Sequence, residues 1–382
     1  MASTPEFCQT RRPAGQALML AALALPGLDA AAQALPDAST LALGMLHYQD
    51  EQPGLKRVRV DSPSVYLSMP LAGRWLVEGG AVLDHLSGAT PRYHTAVSGA
   101  SRMDEKRKAG DVRVARYFGH ATLGLGAALS NENDYRSQAW SASGSLSSED
   151  RNTTGSLGIG VSNDTISPVN QRVAGERRHT TEVMVGIEQV LGKRDVLKAD
   201  FTHTRGRGYF SDPYKLVDNR PRERDSDALL LRWNHAMDHA AAMRLSYRYF
   251  RDSFGIRAHA AGGEYERPLA GGWAVTPSLR LYSQSAADFY FDPVYHPVFG
   301  APYPAGYVFG SGAPSTADQR MAAFGAATLG LKVARGVGAG WTAYVKAEHY
   351  RQMPSWRWTG SGSPGLARFD ARSWQVGAVR QW

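Results

Sequence analysis

Four arginines, Arg232, Arg244, Arg248 and Arg280, stand in stretches where charged and apolar residues alternate. Inward guanidinium groups of this kind select anions in pores. Carboxylates in similar stretches, Asp84, Glu188, Asp200 and Glu348, support the plainer reading, a salt-bridged interior. Two Asp-Pro segments, Asp212-Pro213-Tyr214 and Asp292-Pro293-Val294-Tyr295, are flanked by Tyr209, Phe210, Phe289, Tyr290 and Phe291. Asp-Pro starts turns readily. Asp212, Tyr214, Asp292 and Tyr295 therefore mark either a constriction folded into a channel or two surface loops that brace each other. Ser253 lies near Asp252 and His259, the residue types of a nucleophilic trio. Such a trio on one hairpin is a common accident in a Ser-rich chain, and no catalytic residues are expected. His235 and His239 span a turn, so metal-ligand geometry is not implied. No Gly-rich phosphate loop opens a helix, and no cofactor is expected.

The elements that must carry these groups are strands. Period-two alternation recurs along the chain. Val65, Leu67, Met69 and Leu71 oppose Ser64, Tyr66 and Ser68; Leu197, Ala199 and Phe201 oppose Lys198, Asp200 and Thr202; Met243, Leu245, Tyr247 and Tyr249 oppose Arg244, Ser246 and Arg248. The pattern predicts about sixteen strands: 40–49, 56–70, 74–86, 110–118, 121–131, 135–148, 153–163, 178–190, 195–207, 226–237, 241–253, 256–268, 273–287, 321–334, 340–352 and 369–382. Many exceed the ~5–6 residues usual in globular strands.

A motif is written twice. Pro70-Leu71-Ala72-Gly73-Arg74-Trp75 recurs as Pro268-Leu269-Ala270-Gly271-Gly272-Trp273, with an echo in Gly338-Ala339-Gly340-Trp341. Short turns of this kind alternate with long connections at 87–109, 164–177, 208–225, 288–320 and 353–368. The alternation puts Trp75, Trp233, Trp273, Trp341 and Trp382 at one rim. Tyr48, Tyr249, Phe250, Phe289, Tyr290 and Tyr350 fall near the other. Aromatic residues at both edges, an even strand number and alternating faces describe an all-β transmembrane antiparallel barrel. Arg380 breaks the apolar face of the last strand, which a bulge or a snorkelling side chain would accommodate.

The 382-residue chain has no charge-poor apolar run near the ~20 residues of a spanning helix. Arg11 and Arg12, the apolar stretch Ala17 to Leu25 and the small residues Ala30-Ala31-Ala32 read as a secretory signal. The expected organisation is a signal peptide over 1–32, a lead segment over 33–39 and a barrel over 40–382. Cys8 is the only cysteine and precedes the apolar core, so neither lipidation nor disulfide chemistry is expected. Net charge is +8, yet the cations lack the clustering and stacking aromatics of a nucleic-acid binder. Lys106-Arg107-Lys108 and Arg177-Arg178-His179 fall in or beside expected loops, as solvated charge or contacts to anionic lipopolysaccharide.

Three further stretches are distinctive: Gly206-Arg207-Gly208-Tyr209-Phe210-Ser211-Asp212-Pro213-Tyr214, Tyr249-Phe250-Arg251-Asp252-Ser253-Phe254-Gly255-Ile256-Arg257-Ala258-His259 and Ala286-Ala287-Asp288-Phe289-Tyr290-Phe291-Asp292-Pro293. With Ser87-Gly88-Ala89-Thr90-Pro91-Arg92-Tyr93-His94 and the Lys-rich loop behind it, the chain from about residue 40 onward resembles the bacterial outer-membrane family called domain of unknown function 3570. The resemblance implies a barrel in the outer membrane of a Gram-negative bacterium and no catalytic residues. It also links such barrels to envelope redox or thioredoxin-like proteins. The expected role is a porin-like channel for small polar solutes or an export conduit. The alternatives are a non-conducting barrel that scaffolds an envelope complex, redox-linked in one version, and, behind both, a barrel enzyme. Expected partners are outer-membrane lipid, lipopolysaccharide and the barrel-assembly machinery, with no nucleic acid. Oligomeric state is not legible.

Overall fold

The computed structural model describes residues 34–89, 102–215, 217–292, 306–308 and 310–382. Its strands are β1 (Thr40–Gln52), β2 (Leu55–Leu71), β3 (Trp75–Ala89), β4 (Arg102–Phe118), β5 (Ala121–Asn131), β6 (Tyr135–Ser147), β7 (Thr153–Ile166), β8 (Glu176–Val190), β9 (Asp195–Gly208), β10 (Asp218–Asn219), β11 (Glu223–Ala236), β12 (Ala242–Asp252), β13 (Arg257–Pro268), β14 (Trp273–Gln284), β15 (Ser315–Thr316), β16 (Phe324–Gly338), β17 (Trp341–Met353) and β18 (Phe369–Gln381). All but β10 and β15 join one closed antiparallel ring of sixteen strands. β18 closes it against β1, with register from Thr40↔Gln381 to Glu51↔Asp370. Closure pairs the backbone of every strand on both sides, which a lipid environment demands.

Each run expected from alternation corresponds to one ring strand. The register divides the side chains into two faces. Outward residues are apolar and exposed along the middle of the wall: Leu123, Leu125 and Leu129 on β5, Trp140 on β6, Leu157 and Ile159 on β7, Val185 and Ile187 on β8. Opposite them on the same strands are Gly124, Gly126, Ser141, Ser143, Gly158 and Gly160, matched across the ladder. This alternation suits a wall with lipid on one side and polar contents on the other.

The short-turn rim is built by paired left-handed residues. Ala72 and Gly73 (φ 49° and 65°), Gly271 and Gly272 (74° and 75°), and Ala339 and Gly340 (49° and 75°) occupy equivalent positions. Two consecutive positive φ values give the hairpin a turn that matches strand twist. The repeated motif is thus one turn design used three times. The rim tryptophans carry arginines: Arg116 lies over Trp75 at 5.2 Å and Arg335 over Trp273 at 5.0 Å. Arg380 lies over Trp341 at 5.8 Å and over Trp382 at 5.5 Å. Its break in the apolar face is therefore a cation–π contact at the rim, and no bulge is needed.

The other rim departs from expectation in three ways. Most strands reach further than the apolar pattern, so four connections shrink, to 90–101, 167–175, 209–222 and 354–368, while the one expected at 288–320 lengthens to 285–323 because β14 and β16 stop short of it. Lys106-Arg107-Lys108 lies inside β4 and not in a loop, and Arg177 joins Arg178 and His179, already in the expected strand 178–190, inside β8. β4 has 17 residues, about 56 Å of strand against an apolar band about 25 Å tall. Its upper half stands clear of the band, where alternation in hydropathy is no longer required. Third, the aromatics there do not form one outward belt. Tyr249 faces outward, but Tyr48, Phe250 and Tyr350 share the inward parity, and Phe289 and Tyr290 pack in a loop core. The outward aromatics on that side include Trp358, whose amide donates to Ser283 Oγ and whose ring lies 5.8 Å from His259.

The signal peptide expected over 1–32 lies outside the described residues. So do most of 87–109 beyond the strand ends, part of loop 288–320, and Tyr295.

Candidate functional site

The lumen is charged and largely paired. On β3 and β4, Arg107 meets Asp84 at 2.6 Å and Arg113 meets Glu78 at 2.9 Å. Arg178 on β8 meets Asp164 on β7 at 2.7 Å. Asp84 also accepts from Ser62. The two signs are segregated around the ring. On β3–β8 the register turns Arg107, Arg113 and Arg178 inward against Glu78, Asp84, Asp111, Asp164, Glu182 and Glu188. On β9–β17 it turns Lys198, Arg224, Arg232, Arg244, Arg248, Arg280, Lys332 and Lys346 inward against Asp200, Asp252, Glu264, Glu266 and Glu348. One wall therefore has excess negative charge and the facing wall excess positive charge.

All four sequence-selected arginines point inward, and they divide into pairs. Arg232 donates to Asp200 at 3.0 Å and Arg244 to Glu266 at 3.1 Å. Arg248 and Arg280 have no carboxylate within ion-pair distance and no hydrogen-bond partner among the described residues. Arg248 stacks over Phe250 at 5.2 Å, and the charged or polar neighbours that reach it are Tyr282, Arg280 and Glu182. Arg280 also reaches Tyr350. Of the proposed carboxylate partners, Asp84 takes Arg107 and Glu348 takes Lys346 at 3.2 Å.

The mouth above these arginines carries a folded cap. Phe210, Phe254, Ile256, Ala287 and Met321 form one apolar cluster, joined by Phe250, Phe289 and Tyr290. Ala322, Phe324, Ala326 and Leu366 form another, joined by Tyr282, Tyr290 and Tyr350. Phe250, Tyr282, Phe324, Ala326 and Tyr350 are inward wall residues, so the loops turn into the mouth to meet them. At β9 the loop packs closely on the wall: a Cβ on Gly206 would sit 2.7 Å from the Phe210 ring. Glycine is needed there for the loop to pack.

Asp212 and Tyr214 belong to this cap. Arg320 Nη2 donates to Asp212 Oδ2 at 2.7 Å, and Tyr214 Oη donates to Asp134 Oδ2 at 2.7 Å. Asp292 accepts from Tyr290 Oη at 3.0 Å. The two Asp-Pro loops are tied together: β10 pairs with β15, and Asn219 Nδ2 donates to Gly312 and Ala313 carbonyls. They brace each other and also turn into the mouth, so the two readings of these loops are not exclusive.

At the centre of the brace is Asp318, fully buried. Its carboxylate accepts from Arg220 Nη2 at 2.6 Å and from Arg320, and pairs with Lys215 Nζ at 3.0 Å. Asp218 takes Arg220 through two hydrogen bonds of 2.8 and 2.7 Å. Burial alone would push the Asp318 carboxyl up, but Arg320, Lys215 and Arg220 outweigh it and hold the group well below the usual carboxylate range. Burial pushes the Lys215 ammonium down, with Asp318 opposing. Asp212, Asp218 and Asp318 approach closely enough to suggest cation ligands. Arg220, Arg320 and Lys215 already supply their countercharge, so this set does not fit a metal. The sequence singled out Asp212 but missed the cluster, because Asp318 and Arg320 lie about a hundred residues from Asp212, Lys215, Asp218 and Arg220.

The nucleophile types are not brought together. Asp252 is engaged by Arg224 and by the Phe254 and Ile256 amides. Ser253 Oγ accepts from the Asp225 amide, and His259 Nδ1 bonds Tyr247 Oη at 2.7 Å. His235 bonds Asp195 at 2.7 Å, while His239 sits in the next turn.

No curated protein matches the sequence. Among solved structures, the chain is similar to CdiB from Acinetobacter baumannii (11% identity, TM-score 0.50), covering 88% of this chain and 60% of that one. A bacterial polysaccharide outer-membrane secretin gives 10% identity and a TM-score of 0.49, with 90% and 98% covered. OccK2 from Pseudomonas aeruginosa gives 12% identity and 0.42, with 91% and 99% covered. At these identities the likeness concerns the fold, that of outer-membrane barrels. The sequence is more specific: residues 95–370 match the family described as Protein of unknown function (DUF3570), and the chain belongs to that family.

Proposed function

We propose that the protein is an outer-membrane channel of a Gram-negative bacterium for small polar solutes, and that Arg248 and Arg280 engage the anionic group of a passing solute. In this orientation the short turns face the periplasm and the cap faces outward. The observation that carries the reading is the division among the inward arginines. Arg232 and Arg244 are neutralised by carboxylates; Arg248 and Arg280 keep their charge at the base of the cap. Opposite-sign walls add a transverse field that orients dipolar solutes. Reversal potentials in a salt gradient test the reading. The wild-type barrel is expected to prefer anions, and Arg248→Gln with Arg280→Gln to lose that preference. Cation preference in the wild type would overturn it.

A second reading is a sealed barrel that scaffolds an envelope complex. The apolar packing of the cap onto inward wall residues favours it. Liposome swelling with sugars of graded size separates the two: swelling supports the channel, and its absence the scaffold.

A further inference from the structure

The two basic triplets noted in the sequence are split by the strand pleat. In each, the middle arginine turns inward to an ion pair, Arg107 to Asp84 and Arg178 to Asp164. The flanking residues, Lys106 and Lys108 on β4 and Arg177 and His179 on β8, are exposed on the outward face. Between them, on β6, Arg136 is also outward and exposed. Register aligns these cations. Lys108 is opposite Asn131, Asn131 opposite Arg136, Arg136 opposite Thr165, and Thr165 opposite Arg177. One row across five strands thus holds a cation on every second strand. With strands about 4.8 Å apart, neighbouring cations stand about 10 Å apart and the row is about 19 Å wide.

Two further observations concern its surroundings. Toward the membrane middle on the same face come Gln138 and Trp140 on β6, and His179, Thr181 and Val183 on β8. The row therefore stands just above the apolar band. The outward face of β5–β8 carries no carboxylate, and Lys108, Arg136 and Arg177 have no ion-pair partner among the described residues. The neighbouring sector is built differently. There Arg205 and Arg207 on β9 face Asp225 and Glu223 on β11 at 3.7 Å each, and Arg251 meets Asp227 at 2.9 Å.

We propose that this row is a docking surface for phosphate-bearing lipid headgroups of the outer leaflet. Its height, its spacing and its freedom from internal countercharge all suit a layer of anionic headgroups.

The test uses the full barrel folded in neutral detergent micelles, with binding of bisphosphorylated lipid A and of its dephosphorylated form measured by native mass spectrometry. Micelle binding depends neither on orientation in a cell nor on conduction, so it stands apart from the channel reading. The triple variant Lys108→Gln, Arg136→Gln, Arg177→Gln is expected to weaken binding of the phosphorylated lipid about a hundred-fold, roughly five-fold per cation. Arg205→Gln, Arg207→Gln, Arg251→Gln removes the same charge from the paired sector and is expected to change it less than about five-fold. Heat-modifiable gel mobility verifies that each variant remains a folded barrel. Equal binding of dephosphorylated lipid, or equal loss in the two triple variants, would overturn the proposal.

Discussion

Replacing Asp318 by Asn should loosen the cap while leaving the barrel closed. The wild-type cluster is balanced: Arg220, Arg320 and Lys215 against Asp212, Asp218 and Asp318. Asn keeps the size of the side chain and removes its charge, leaving an excess cation in a cluster that is largely buried. Removing one partner of a buried ion pair costs about 3–5 kcal/mol. Protection of cap amides against hydrogen exchange should fall by about two to three and a half orders of magnitude, at 1.4 kcal/mol per factor of ten. The affected segments are 209–222 and 310–323, which the cluster joins. The strand ladder contributes nothing to this balance, so exchange in β5–β8 should be unchanged. A compensating change, Arg320→Gln, restores neutrality and should recover part of the protection. Unchanged cap protection in Asp318→Asn would refute the view that the ion cluster holds the loops. Equal loss in cap and wall would refute their independence.

Further outcomes can be measured in the same way. Because Asp318 titrates below its unfolded range, its contribution is present above the unfolded pKa of about 3.9 and is lost only as pH falls through the lower folded value. Single-channel traces should therefore keep one conductance level from pH 7 to about 4 and change only under stronger acid. Phe254→Ala empties the middle of the larger cap cluster and should cost the cap about 3–5 kcal/mol, read as faster proteolysis of loop 209–222 with the barrel intact. Gly206→Ala should displace Phe210 and speed the same cleavage, whereas in a Phe210→Ala background it should have little effect. Arg380→Ala removes two cation–π contacts at the turn rim and should lower folding stability in lipid by about 1 kcal/mol, measured by urea titration in vesicles.

Alternation alone made the wall legible. In β9, Leu197, Ala199 and Phe201 oppose Lys198, Asp200 and Thr202, and a one-residue slip would put the charged set into lipid. Each ring strand could therefore be counted before its partner was known. The same logic failed above the membrane. Lys106, Arg107 and Lys108 show no alternation in hydropathy because both faces there meet water or polar groups, so β4 looked eight residues shorter than it is. The aromatic pattern misled for a related reason: a Tyr or Phe near a strand end looks the same whether it anchors in lipid or packs under a loop. Tyr350 and Phe250 turn inward because the cap needs apolar partners, and the cap is assembled from segments far apart in sequence.

The inward arginines show where pattern and pairing part company. Parity places Arg232, Arg244, Arg248 and Arg280 on one face with equal clarity, but it carries no information about which carboxylate lies opposite. That depends on register between strands. Arg232 stands opposite Lys198, one ladder step from Asp200, and Arg244 is one step from Glu266. Arg248 stands opposite Ala260, and Arg280 opposite Gly262 and Thr328. Neutral cross-strand neighbours leave those two guanidinium groups without a directly paired carboxylate, Glu182 reaching Arg248 only from a distance, at the level where Tyr282 and Tyr350 support the cap. A charge left without a partner in a confined lumen is costly unless water or a solute satisfies it. If that unbalanced charge serves selectivity, introducing an acid at Ala260 by Ala260→Glu should neutralise Arg248 and shift the reversal potential toward cations while leaving the cap protected. A shift in cap protection with no shift in ion preference would mean that the two arginines serve packing instead.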